Sequence, residues 1–334
     1  MRRTLVEGVQ VGMPLLLVLL AALLGTSAGA NQTYFVDALI NVSIVVGLYL
    51  FVGNSGVLSF GHIAFFAIGA WTAGVLTVPV SEKPAIMPNL AHFLRTTTTG
   101  NIRSLLLAAA IGAVFALLVG LPLMRLSGLA AGIATFAVLE IVHNVLRYYE
   151  KIGPGLNTFS SVPQTTGVWQ AAIAAFIAIG VAYAYQRTRF GRMLRATRED
   201  PAAASASGIS MYRQRLVAFV LSAAVVGFAG GIDVHFLPIN VDAVYLDLTF
   251  LTLAMLVVGG LTSLWGAVVG ALAVSALDSW LAAAENGTNL FGAHVDLPAG
   301  TRLVVVGVLM AAVLILHPSG LTGGREFPVG WLRR

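Results

Sequence analysis

The chain has 334 residues, 58% of them hydrophobic and only 10% charged, with a net charge of +5 and no cysteine. That composition excludes a soluble domain and reads as a polytopic membrane protein, and the missing cysteines exclude disulfides, thiolate nucleophiles and cysteine metal sites. Lysine occurs only at Lys83 and Lys151, followed by Pro84 and Ile152, so there is no P-loop lysine motif and no Walker-type ATP site.

Arg2 and Arg3 precede the apolar run Leu15 to Leu24, and Ala28-Gly29-Ala30 looks like a cleavage site, the pattern of a signal peptide. The competing reading is a retained first span from about Val9 to Ala28, long enough to cross a bilayer. A second span runs from about Tyr34 to Val52. Gly53 to Gly74, GNSGVLSFGHIAFFAIGAWTAG, opens on a Gly/Asn/Ser turn signal and stays apolar to about Val78. Gly61, Ala64, Gly69, Ala70, Ala73 and Gly74 give this third span a flat surface that another helix can approach closely in lipid. Asn54, Ser59 and His62 are polar groups at its start. They either satisfy freed backbone groups at a helix-start turn or line a route as part of a discontinuous helix.

Pro79 to Arg103 is a polar connection, and the fourth span covers about Ser104 to Met124. The fifth, about Leu129 to Leu146, holds Glu140, His143 and Asn144 and is followed by Arg147, at spacings that share one helical face. A carboxylate-bridged di-metal site would need a second E-x-x-H, which the chain lacks, so no metal is expected. Two readings stay open: a polar stripe turned toward the bundle near its outer surface, or a lining of the substrate path.

After a Gly/Pro/Ser-rich loop, Tyr148 to Gly167, and a sixth span, Val168 to Tyr185, comes the densest charge in the chain. Gln186 to Arg215 holds seven arginines against two acids, Glu199 and Asp200, which assigns this loop to the cytoplasm. Its interior reads as a short helix: Asp200 as cap, Pro201 at the first position, Gly208 just past the end. Further spans follow at about Leu216 to Val234, Leu248 to Val258, Trp265 to Ala284 and Thr301 to Leu316. Asp37, Asp247 and Asp278 fall toward the outer ends of their spans. With ten spans and both termini inside, the basic residues split thirteen inside to six outside, and inverting the topology reverses the ratio. The positive charge thus reflects topology and an anionic inner leaflet, with no nucleic-acid partner expected.

FGRMLRATRED, AAASASGI and RLVAFVLSAAVVGFAGG resemble the cytoplasmic loop and following span of ABC-importer permeases of the branched-chain amino acid, LivM-like type. The string G-x-x-G-x-x-S-x-G-x-x-x-F-x-x-I-G-A from Gly53 to Ala70 is similar to the same family, as are Gly259 to Ala271 and the ending at Pro318, Gly320 and Leu321. The resemblance runs from about Gly53 to Leu321. It implies an all-α, type II importer-like bundle of about ten transmembrane helices, a single permease domain over residues 1–334 with a coupling loop at 187–215. By the same resemblance Gly191, Arg192, Arg195, Arg198, Glu199, Asp200, Ala203, Ala204 and Gly208 couple to the ATPase. The chain departs from the family at Pro201, Ala202, Ser205, Thr262 and Ala267; at Ser205 the family's usual Glu is missing. The implied partners are a second homologous permease, two cytoplasmic ATPase subunits and an extracytoplasmic binding protein in a prokaryotic inner membrane. By the same resemblance ATP and Mg belong to the ATPase, and this chain is expected to be a non-catalytic subunit that binds no cofactor. The implied substrates are branched-chain or other hydrophobic amino acids, with urea, small amides or sugars as the alternatives among similar permeases. An ion-coupled secondary transporter would instead need an intramembrane coupling site, for which Glu140 is the candidate, and a channel or scaffolding subunit is a third reading.

Overall fold

The computed structural model describes residues 2–285, 288–290, 293–295, 297–298, 300–317 and 319–327. Pro318, Arg333 and Arg334, and parts of the polar segment Glu285 to Ala299, lie outside the described residues. The helices are α1 (Arg2–Ser27), α2 (Gln32–Ser55), α3 (His62–Thr77), α4 (Lys83–Ile86), α5 (His92–Arg95), α6 (Asn101–Leu123) and α7 (Gly128–Tyr148). They continue with α8 (Val168–Arg187), α9 (Arg189–Glu199), α10 (Pro201–Ala206), α11 (Met211–Val234), α12 (Leu246–Gly259), α13 (Leu264–Glu285) and α14 (Thr301–Leu316). One small antiparallel hairpin, β1 (Thr288–Leu290) with β2 (Ala293–Val295), follows α13, with Thr288 opposite Val295. Among the described residues, seven helices are long and apolar enough to cross a membrane: α2, α6, α7, α8, α11, α13 and α1 from Gly8 onward. Three shorter apolar helices, α3, α12 and α14, occupy the other expected spans. Apart from that hairpin, the described residues form a polytopic helical membrane bundle.

α2 and α11 are the central helices. α2 packs on α8, α11 and α13; α11 packs on α6, α3 and α2; α12 pairs with α13 and α14, and α1 lies on α8 and α2. Hydrophobic surface gives no preference for protein over lipid tails, so close backbone approach at small residues sets these contacts. A Cβ on Gly69 would come 2.0 Å from the Gly227 carbonyl oxygen, joining α3 to α11. A Cβ on Gly270 would come 2.1 Å from the Met255 oxygen, joining α13 to α12. Phe51, Phe65 and Phe219 from α2, α3 and α11 meet edge-on at the centre, with ring centroids 5.2 Å apart for Phe51–Phe219 and for Phe65–Phe219.

The two ends of the bundle are built differently. At one end the connecting segments interlock: the Phe159 amide donates to Ile239 O (3.0 Å), Ala91 N to Lys151 O (3.0 Å) and Thr99 N to Leu76 O (2.8 Å). Lys83 is fully buried there, and its ammonium donates to the carbonyls of Leu94 (2.6 Å) and Thr97. At the other end lie α9, α10 and the tail after α14. The tail folds back on the α12–α13 turn, with Leu321 N donating to Val258 O (2.8 Å), and Glu326 accepts from the Leu264 (2.9 Å) and Trp265 (3.2 Å) amides at the start of α13.

Candidate functional site

The basic loop forms a ledge of two helices. Thr188 opens α9, its hydroxyl accepting from the Gly191 amide (3.2 Å). The Arg-rich pattern folds as an amphipathic helix, with Leu194 and Thr197 buried and Arg192 and Ala196 exposed. Gly191 sits where any side chain would strike α8, since a Cβ would lie 2.3 Å from Tyr185 O. Arg195 donates to Gln186 O (2.8 Å) at the end of α8. Arg198 donates to Gly53 O in the last turn of α2 and also pairs with Glu199. Its stem packs over Gly56, whose φ of +71° ends α2 and whose Cβ, if present, would meet the Arg198 side chain at 2.7 Å. Two of the expected coupling arginines therefore fasten the ledge to α8 and α2, while Arg192 stands at the surface.

α10 follows the expected capping. One Asp200 carboxylate oxygen accepts from the Ala202 and Ala203 amides, both at 2.9 Å, and Pro201 is the first helical residue. Gly208 takes the left-handed conformation, φ +77°, and Ile209 N returns to Ala204 O (3.0 Å). The two expected docking alanines part company: Ala204 is buried against the chain itself, whereas Ala203, Ser205 and Ser207 are exposed.

The five expected path residues fall in two places. Asn54, Ser59 and His62 sit at the ledge end, where the chain runs non-helical from Gly56 to Gly61 between α2 and α3. All three are buried; His62 Nδ1 meets Ser59 Oγ at 2.7 Å, and its ring lies among Phe51, Phe65 and Phe219 at 5.5–5.8 Å. Asn54 Nδ2 donates to Leu50 O (3.0 Å), while Asn54 Oδ1 and His62 Nε2 are buried without a partner. Such a group is costly in a dry interior, so this knot is a closed arrangement holding unused polar atoms.

Glu140 and Asn144 lie toward the other end on α7, joined to each other at 2.6 Å. The Tyr245 hydroxyl donates to Glu140, and the Tyr245 ring stacks on His143 with centroids 3.8 Å apart. The bond to Glu140, then burial, pushes the Tyr245 phenol up to about 12, so it remains a donor at neutral pH. Asp242 completes the stripe by bridging Arg147 (2.7 Å) and His143 (3.1 Å). The α7 stripe is thus a docking edge for the segment that enters α12. Among the described residues no His/Asp/Glu group has the makings of a metal site.

Sequence reasoning missed a third group. Asp37, Asn41, Asp247, Asp278 and Arg302 line one cavity of about 520 Å³ at the interlocked-loop end, between α2, α12, α13 and α14. Only the position of the three acids near their span ends pointed to it.

The family described as branched-chain amino acid transport system / permease component matches residues 30–314. The high-affinity branched-chain amino acid transport system permease protein LivM of Escherichia coli is 26% identical over 318 residues, covering 85% of this chain and 68% of that protein. Its counterpart in Salmonella typhimurium is 29% identical, covering 58% of this chain and 49% of that one. A probable branched-chain amino acid transport permease protein LivH of Methanocaldococcus jannaschii is 31% identical over 157 residues, covering 45% of this chain and 46% of that one. The chain therefore spans about half the length of two of these relatives and about two thirds of the other. No solved structure matches.

Proposed function

The chain belongs to the family of branched-chain amino acid permease components, and on that premise we propose that it is the membrane-spanning subunit of an ATP-driven importer for branched-chain or other hydrophobic amino acids. It works with a second homologous permease, two cytoplasmic ATPase subunits and an extracytoplasmic binding protein that delivers the substrate. It sits in a prokaryotic inner membrane with both termini and the α9–α10 ledge in the cytoplasm. ATP and Mg act on the ATPase, and this chain performs no chemistry of its own.

The observation that carries this reading is α10. A six-residue helix is too short to hold its shape unaided in water, yet this one is capped at both ends and presents Ala203, Ser205 and Ser207 outward. A small, rigid, flat knob on a basic ledge suits the groove of a partner protein. The ledge is also wired to the bundle. A force on α10 passes to α9, then through Arg195 to α8 and through Arg198 to Gly53. Gly53 adjoins Asn54 and the break before α3. In this reading ATPase movement pulls on that break, and the unused polar atoms of Asn54 and His62 become available to substrate as the knot opens.

Affinity purification of the tagged chain from its native membrane tests the proposal. An importer subunit brings down an ATPase and a second permease, and leucine uptake into vesicles then requires ATP. Recovery of the chain alone, with uptake driven by an ion gradient, would support a secondary transporter and sink the proposal.

A further inference from the structure

The cavity of about 520 Å³ at the end away from the ledge has the chemistry of an amino-acid pocket. Its volume falls in the range of small-molecule sites, roughly 300–1,000 Å³. It brings together charges of both signs: Arg302 Nε lies 3.2 Å from Asp278 Oδ1, and Asp278 is 8% exposed. Asp37 accepts from the neutral Asn41 amide (2.9 Å), which Ser275 also meets at 3.3 Å. Asp247, in the first turn of α12, adds a third carboxylate to the wall. Leu248 and Leu251, from the same helix, supply apolar wall. One guanidinium against three carboxylates leaves an excess of negative charge in a medium where unpaired charge is costly. A ligand that brings an ammonium offsets the excess, one that also brings a carboxylate meets Arg302, and an apolar side chain is covered by the leucines.

Resting on the permease reading, we infer that this cavity is an entry site for zwitterionic α-amino acids with apolar side chains. Asp37 and Asp247 face the ammonium, Arg302 faces the carboxylate, and substrate rests here between the binding protein and the knot at His62. Under the proposed topology the cavity opens on the extracytoplasmic side.

The chain has no native cysteine, so S279C, on the cavity wall, gives a single reporter. The full chain is placed in nanodiscs, and the rate of reaction with a membrane-impermeant thiol reagent is measured with and without ligand. Saturating L-leucine is expected to slow labelling several-fold. Isoamylamine, which lacks the carboxylate, should protect weakly, and 4-methylpentanoate, which lacks the ammonium, not at all. Adding D37N or D247N to S279C should abolish leucine protection, read in each variant as the ratio of its own labelling rates with and without leucine. Unchanged labelling with leucine, equal protection by 4-methylpentanoate, or full protection in both Asn variants would overturn the inference. So would an S279C chain that fails to react without ligand, because the cavity would then be closed. The assay uses no ATPase or binding protein. Loss of protection with intact ATPase co-purification therefore sinks this site alone, and protection without any co-purifying ATPase sinks the permease reading alone.

Discussion

Arg198 joins the two functions of the ledge in one side chain. Its guanidinium reaches Gly53 O while its backbone lies in the last turn of α9, one residue before the helix ends at Glu199. R198A should leave α10 intact, so the ATPase still co-purifies, but substrate uptake should fall severely because the link to the α2–α3 break is gone. Wild-type uptake by R198A would remove Arg198 from the coupling route. Asp200 acts on α10 itself. D200A removes the acceptor for two amides and should cost about 1 kcal/mol of local helix stability. Limited proteolysis checks this: cleavage between residues 200 and 208 should quicken, and a digestion rate equal to wild type would contradict the role. At the opposite end Lys83 has a structural task. Burial pushes its ammonium below the usual lysine range, yet it still serves two carbonyls. K83M should leave both without that donor, at about 1–3 kcal/mol each. Faster proteolysis of the segment between α3 and α6 is the expected readout, and unchanged resistance would show that water replaces the ammonium at no cost.

The helices meet at glycine seams, and these seams are not equivalent. Gly69 and Gly270 face backbone, with carbonyl oxygens 2.0 and 2.1 Å from a would-be Cβ, whereas Gly231 faces the Leu105 and Ala108 side chains at 2.9 and 3.2 Å. Backbone cannot rotate aside as Leu105 can, so G69A and G270A should lower thermal stability in detergent more than G231A. Leu at any of the three should overpack by about 1–3 kcal/mol or more. Melting temperatures in the reverse order would contradict the seam geometry. Most of this level was legible in the sequence. Long apolar runs marked α2, α6, α8 and α11, and the turn signal Gly53 to Gly56 marked an interruption, because these features are local; the structure keeps Gly53 to Ser55 in α2 and places the break at Gly56 to Gly61. The caps of α10 were equally legible, since Asp200 and Pro201 act within its first turn and Gly208 lies just past its end. Less legible was which alanine faces out: a six-residue helix has no hydrophobic periodicity long enough to show that Ala204 turns inward.

At the scale of the molecule, sequence distance hid the rest. Glu140 and Tyr245, or Asp278 and Arg302, touch only because α7, α12, α13 and α14 pack as they do, and no spacing rule joins residues that far apart. The arginine count, by contrast, speaks to the whole chain. The ledge and the tail share one end, where Arg192, Arg195 and Glu326 line a common cavity of about 350 Å³. In the proposed topology that end lies in the cytoplasm, so S205C should resist a membrane-impermeant thiol reagent added outside intact cells; rapid labelling would invert the topology. The central claim is that α10 is the surface through which ATPase and bundle communicate, and Ala203 isolates it. Ala203 is exposed on α10 while Ala204 is buried within the chain, so a tryptophan at 203 enlarges the knob without disturbing the packing beneath it. The most direct measurement is ATPase co-purification with A203W, alongside its thermal stability in detergent. Wild-type stability with loss of the ATPase and of ATP-driven uptake is expected; an A203W chain that recovers the ATPase at the wild-type ratio and transports at the wild-type rate would contradict the coupling role of α10.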